Sequence, residues 1–142
     1  MIPIYFQNSA IDFDLPFEKA QLKDWINGVI LEEDYTLEEL SYVFTTDESL
    51  LEINQSYLNH ETFTDIITFD YSEKDRVVNG EIIISIDRVK ENALKYEVEF
   101  DHELARVMIH GVIHLLGYDD KTPNQKAIMR KKENTCISLL KI

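Results

Sequence analysis

Four side chains within eleven residues carry the chemistry this sequence offers. They are His110, His114, Asp119 and Asp120, in the run His-Gly-Val-Ile-His-Leu-Leu-Gly-Tyr-Asp-Asp. Two histidines four apart stand one turn above the other on a helix, so that their ring nitrogens can share one metal ion. A third ligand has to come from beyond the helix. On a continuing helix Asp120 would lie about 15 Å from His110 along the axis, at 1.5 Å per residue. Bonds of about 2 Å cannot bridge that distance. The chain must therefore stop and turn back, and Gly117 stands where a helix end calls for positive φ. The spacing His-x3-His-x2-Gly-x2-Asp thus predicts a metal held by His110, His114 and Asp120. Asp119 competes for the third position. The distance in sequence from His114 favours Asp120, which leaves Asp119 to orient an imidazole or the water at the ion.

Zinc proteases of the His-Glu-x2-His-x2-Gly-x2-His kind share this spacing. In them the residue after the first His is the Glu that acts as general base. Here it is Gly111, which cannot take a proton. The pattern predicts a metal-dependent hydrolase that is not a peptidase. A carboxylate oxygen is a sound zinc ligand, yet a His-His-Asp set brings one negative charge where three His bring none. Water at such an ion would be less acidic, and the harder oxygen would admit other divalent metals more readily.

The elements that must position these groups are legible from periodicity. Ile2 to Phe6 reads as a strand. Pro16 opens a helix whose buried face is Leu22, Trp25, Ile26, Val29 and Ile30. Leu40 to Thr45 alternates as a strand, and Thr45 with Glu48 forms a capping box for a helix carrying Leu50, Leu51, Asn54, Tyr57 and Leu58. After the polar loop that holds His60 and Asp65, Ile66 to Tyr71 is a strand, and 72–79 an exposed turn. Gly80 to Ile86 is an almost continuous apolar run and therefore a central strand. Asp87 caps a helix to about Val98. The helix from about Phe100 is apolar on several sides, with Leu104, Val107, Met108, Leu115 and Leu116, and is the buried one that bears His110 and His114. Thr122 and Pro123 start a last helix, with Ile128, Lys132, Cys136, Leu139 and Leu140 turned inward. This order predicts one α+β domain over residues 1–142. It is a four-stranded mixed sheet packed with about five helices around a buried metal-bearing helix, zincin-like in arrangement.

Composition narrows the class. A chain of 142 residues with 44% hydrophobic side chains suits one core, and its single cysteine, Cys136, excludes an internal disulfide. There is no secretion signal and no apolar run near the roughly 20 residues of a membrane span, which fits a soluble, cytoplasmic protein. The net charge of −13 argues against a simple nucleic-acid binder. The charge is uneven, however. Residues 1–120 carry 8 basic and 26 acidic side chains, whereas residues 121–142 carry 6 basic and 1 acidic. Lys121, Lys126, Arg130, Lys131 and Lys132 follow directly on the proposed metal ligands, where they can position phosphate.

The run 110–120 resembles the signature of the YbeY family of rRNA-maturation endoribonucleases, His-Gly-x-Leu-His-Leu-x-Gly-Tyr-Asp-His. Ile113 stands for a Leu and Asp120 for the third His. Thr64-Asp65-Ile66-Ile67-Thr68-Phe69 is similar to the family's Thr-Asp-Val-Leu-Ser-Phe, and Gly80-Glu81-Ile82-Ile83-Ile84-Ser85 to its Gly-Asp-Ile-x-Ile-Ser. Three motifs in order are far more specific than one. The resemblance implies an endoribonuclease with one Zn2+, specific for single-stranded RNA. It further implies maturation of the 3′ end of small-subunit (16S) rRNA, ribosome quality control, and ribosomal proteins or assembly factors as partners. Whether water or the ribose 2′-hydroxyl attacks stays open, and Asp119 is the candidate base. One departure is Leu58, which follows Tyr57 where the family has Arg; Lys121 and Arg106 are the candidate replacements for that cation. Two other functions remain in view, a non-catalytic, metal-stabilised ribosome-assembly factor and a metallohydrolase of another substrate.

Overall fold

The computed structural model describes residues 1–58 and 64–140. In chain order the elements are β1 (Ile4–Asn8), α1 (Lys19–Glu32), β2 (Thr36–Thr45), α2 (Asp47–Leu58), β3 (Ile66–Asp70), β4 (Val77–Ser85), α3 (Ile86–Lys95), α4 (Phe100–Leu115) and α5 (Pro123–Ser138). The expected α+β class and element order are found. The strands form one mixed sheet in the order β1-β2-β4-β3. β1 pairs parallel to β2 and β2 parallel to β4, while β3 returns antiparallel along β4. The apolar run of β4 is explained by this central place, with neighbours on both edges and side chains buried on both faces.

The sheet has a thick side and a thin side. Leu40, Tyr42, Ile82 and Ile84 point to the larger core, where they meet Leu22, Ile26 and Ile30 of α1 and Leu104, Met108 and Val112 of α4. Val43, Ile67 and Ile83 point the other way and are covered by Leu50 and Ile53 of α2. Ten of the sixteen residues of α4 are buried, which makes it the interior helix its all-round hydrophobicity predicts. It lies tightly on the sheet. A Cβ built on Gly111 would come within 2.8 Å of Ile82 Cδ1 and 3.0 Å of Ile66 Cδ1, so a larger residue there would have to displace these side chains of β3 and β4. The Tyr42 hydroxyl, fully buried, donates to the carbonyl of Met108 at 2.9 Å and ties β2 to the middle of α4.

Several local expectations need correction. α1 starts at Lys19 with Glu18 as N-cap, not at Pro16. The cap before α2 is Thr46, whose Oγ1 accepts from Ser49 N at 3.2 Å; Thr45 instead donates to the carbonyl of Ser9. α3 is capped by Ser85, whose hydroxyl oxygen accepts from Arg88 N, while Asp87 lies in the first turn and accepts from the backbone N–H of Asp47. At α2 and α3 the true cap lies within two residues of the expected one, because Ser, Thr and Asp compete for the same exposed N–H groups. On α5, Cys136 and Leu140 pack on the core, but Ile128 and Leu139 are exposed and the buried positions are Met129 and Glu133. No helix among the described residues is long and apolar enough to cross a membrane.

Candidate metal centre

The end of α4 shows how this sequence brings its ligands together. Tyr118 N donates to Ile113 O at 3.3 Å and Gly117 N to His114 O at 3.0 Å, while Gly117 adopts φ +96°. That is the Schellman arrangement, and it needs a residue without Cβ at the turning position. Three residues later Asp120 faces back toward the helix. Thr122 then caps α5, its hydroxyl oxygen accepting from Gln125 N while Gln125 Oε1 accepts from Thr122 N. Because Pro123 occupies the first turn of α5, where no N–H is needed, the connection between the two helices stays short.

The result is a cluster of His110, His114 and Asp120 whose ligand atoms all lie within 4.8 Å of one another. Asp120 Oδ2 is 3.4 Å from His110 Nε2 and 3.4 Å from His114 Nε2. A tetrahedral ion with bonds of about 2.1 Å has ligand atoms about 3.4 Å apart along each edge. The donor set and its two Asp120 edges therefore suit a small divalent ion. Both rings turn Nε2 toward the carboxylate because Nδ1 is occupied. His114 Nδ1 lies 2.9 Å from the carbonyl oxygen of Tyr118. His110 Nδ1 lies 2.5 Å from Glu133 Oε2 on α5.

Behind His110 stands a buried ionic chain that sequence reasoning missed. Glu103, Arg106 and His110 follow one another at three and four residues along one face of α4. Arg106 donates to both carboxylate oxygens of Glu103 and, through Nη1 at 3.2 Å, to Glu133 Oε1. Glu103 and Glu133 are each only 2% exposed. Burial pushes the Glu133 carboxyl up, but the bonds and charges of His110 and Arg106 outweigh it and hold the group below the usual carboxylate range. The signal that could have found Glu133 is its charge, since it is the only acid among residues 121–142. Arg106 is thus engaged with carboxylates and does not offer a free cation in place of the family Arg. Lys121, the other candidate, is exposed. His60 and the side chain of Leu58 lie outside the described residues.

Asp65 borders this chain, 3.9 Å from Arg106 and bonded by Asn92 at 3.4 Å. Burial raises its carboxyl above the ordinary value, against the charges of Arg106 and His110. Asp119 is exposed and stands outside the ligand cluster. Since Glu133 and Tyr118 already hold the two Nδ1 atoms, orientation of an imidazole is not left for it. Of the basic residues after the turn, Lys121, Lys126, Arg130 and Lys131 are exposed. Lys132 instead donates to Glu33 at 2.6 Å and lies over the Tyr118 ring.

Comparison with known proteins gives one answer. The family model described as Endoribonuclease YbeY matches residues 5–141. A relative named Endoribonuclease YbeY from Flavobacterium psychrophilum is 47% identical, over 95% of each chain. Another of that name from Cytophaga hutchinsonii is 46% identical, over 97% of this chain and 96% of its own. Among solved structures, that of TM1509 from Thermotoga maritima matches with a TM-score of 0.65 at 25% identity, over 95% of this chain and 87% of that one.

Proposed function

Because this chain belongs to the YbeY family of endoribonucleases, we propose that it cuts single-stranded RNA at a centre where His110, His114 and Asp120 hold one divalent ion, zinc being the first candidate. The observation that carries this reading is the convergence of the three ligand atoms within 4.8 Å, with the Asp120 oxygen 3.4 Å from each imidazole Nε2. When bound, the ion would polarise a phosphoryl oxygen, acidify water, or do both. The chain's own residues supply the rest. His110 and His114 present Nε2, and Asp120 closes the set with a carboxylate oxygen. Asp119, exposed beside Asp120, is the candidate to accept the proton of the attacking hydroxyl or water. Lys121, Lys126, Arg130 and Lys131 offer positive charge to the phosphates on either side of the cut. Gly111, pressed onto the sheet, leaves no peptidase base.

Family membership supports placing this activity, in the cytoplasm, at the 3′ end of small-subunit (16S) rRNA and in ribosome quality control, with residues 1–142 acting as one domain. The acidic body favours delivery of the RNA by ribosomal proteins or an assembly factor. A second reading draws on Leu58: without the family Arg, the protein would be a metal-stabilised assembly factor that binds and does not cut. Elemental analysis and cleavage of an unstructured RNA oligonucleotide separate the two. Wild type should carry about one equivalent of metal and cut. His114→Ala and Asp120→Ala should keep their circular dichroism, lose the metal and lose activity by about 100-fold or more. Asp119→Asn should keep the metal and slow cleavage about 10²–10⁴-fold. Cleavage by His114→Ala at the wild-type rate would refute the metal mechanism, and a metal-loaded wild type that never cuts would favour the assembly factor.

A further inference from the structure

We propose that Glu133 is a positioning residue for the metal centre: it fixes His110 as an Nε2 ligand by accepting a hydrogen bond from Nδ1–H, and Arg106 clamps the carboxylate that does so. The inference rests on the metal reading above and adds a residue from α5 to a site otherwise built by α4 and its turn. A neutral imidazole has one N–H and one lone pair. With a carboxylate oxygen 2.5 Å from Nδ1, the lone pair of that nitrogen would face negative charge in the other tautomer. Only the tautomer with the proton on Nδ1 satisfies the contact, and it leaves Nε2, the atom that faces Asp120, free to bind an ion.

Glu133 cannot shift away from this duty. Its second oxygen accepts from Arg106, and Arg106 is itself held by the two bonds it donates to Glu103, so that three consecutive members of one buried chain fix each other's geometry. His114 is treated differently, since its Nδ1 faces the neutral carbonyl of Tyr118. The two rings are therefore not equivalent: a charged carboxylate orients His110 and a neutral carbonyl orients His114.

The test uses Zn2+ and competition with a chromophoric chelator, for wild type and for Glu133→Gln. The variant should bind zinc about 10–100-fold more weakly. Melting of both metal-free proteins is followed in parallel, because a residue that merely pins α5 to α4 would lower that melting point without moving zinc affinity. Zinc affinity within twofold of wild type would overturn the proposal. Should the variant fail to fold, ring-nitrogen NMR of zinc-loaded wild type decides. His110 must show a protonated Nδ1 and a zinc-bound Nε2; the reverse assignment would overturn it. A wild type that takes up no zinc removes the metal reading and this inference together, whereas unchanged affinity in Glu133→Gln removes this inference alone.

Discussion

Asp120 meets both imidazoles through a single oxygen, and that one atom sets the charge of the centre. Replacing Asp120 by His would restore a neutral set of three rings. The variant should keep about one equivalent of zinc but discriminate more strongly against hard ions such as Mn2+, which metal analysis after exposure to mixed ions would reveal. Gly111 lends itself to a similar test. An Ala there must displace the Ile82 side chain, and overpacking of this kind costs about 1–3 kcal/mol, against about 1 kcal/mol that Ala gains over Gly inside a helix; a denaturant titration of Gly111→Ala should show a net loss of about 0–2 kcal/mol. The sequence made the ligands legible because their spacing follows from helix geometry and one turn. Gly111 was legible only as a missing base, since its contact with Ile82 and Ile66 depends on how close α4 comes to the sheet. Glu133 stood out only as the lone acid of residues 121–142, and its partner was not legible, because 23 residues separate it from the ring it meets.

α5 shows what periodicity can and cannot do. Thr122, Pro123 and Gln125 announce its start in local chemistry, and the structure agrees. Its inward face is another matter. The apolar residues Ile128 and Leu139 suggest one rotation about the axis, but Glu133 reaches His110 and Arg106, and Met129 and Glu133 turn inward instead. Ionic pairing across helices has no periodic signature. A second such pair, Lys132 with Glu33, fastens α5 to the end of α1. The bond that Lys132 donates holds the Glu33 carboxyl below its ordinary 4.5, and the same bond holds the Lys132 amine above its ordinary 10.5. Glu33 thus adds stability above about pH 4.5 that fades as pH falls through its lowered value. Lys132 adds stability below about pH 10.5 that fades as pH rises through its raised value. Melting curves of wild type and Glu33→Gln should differ most between these limits and converge outside them. The partly exposed pair contributes about 1 kcal/mol or less.

Over the whole molecule, the acidic body and the basic last segment divide the surface by charge. With a net charge of −13, purified protein should bind free single-stranded RNA weakly, at about 10⁻⁴–10⁻⁶ M, and lose affinity steeply with salt. A filter-binding series from low to physiological salt checks this; tight binding that ignores salt would contradict it. Sheet order was less legible than class, because alternation marks a strand but not its neighbour, and β4 pairs with β2 across forty residues of chain. The ligands, by contrast, are close in sequence. His110, His114 and Asp120 span eleven residues around the Gly117 turn. An ion there closes a very short loop and so removes little freedom from the unfolded chain. Hydrogen exchange after zinc addition should accordingly slow at residues 114–123 and leave the amides of β2 and β4 nearly unchanged, marking the ion as a clasp on one corner of a scaffold that folds without it.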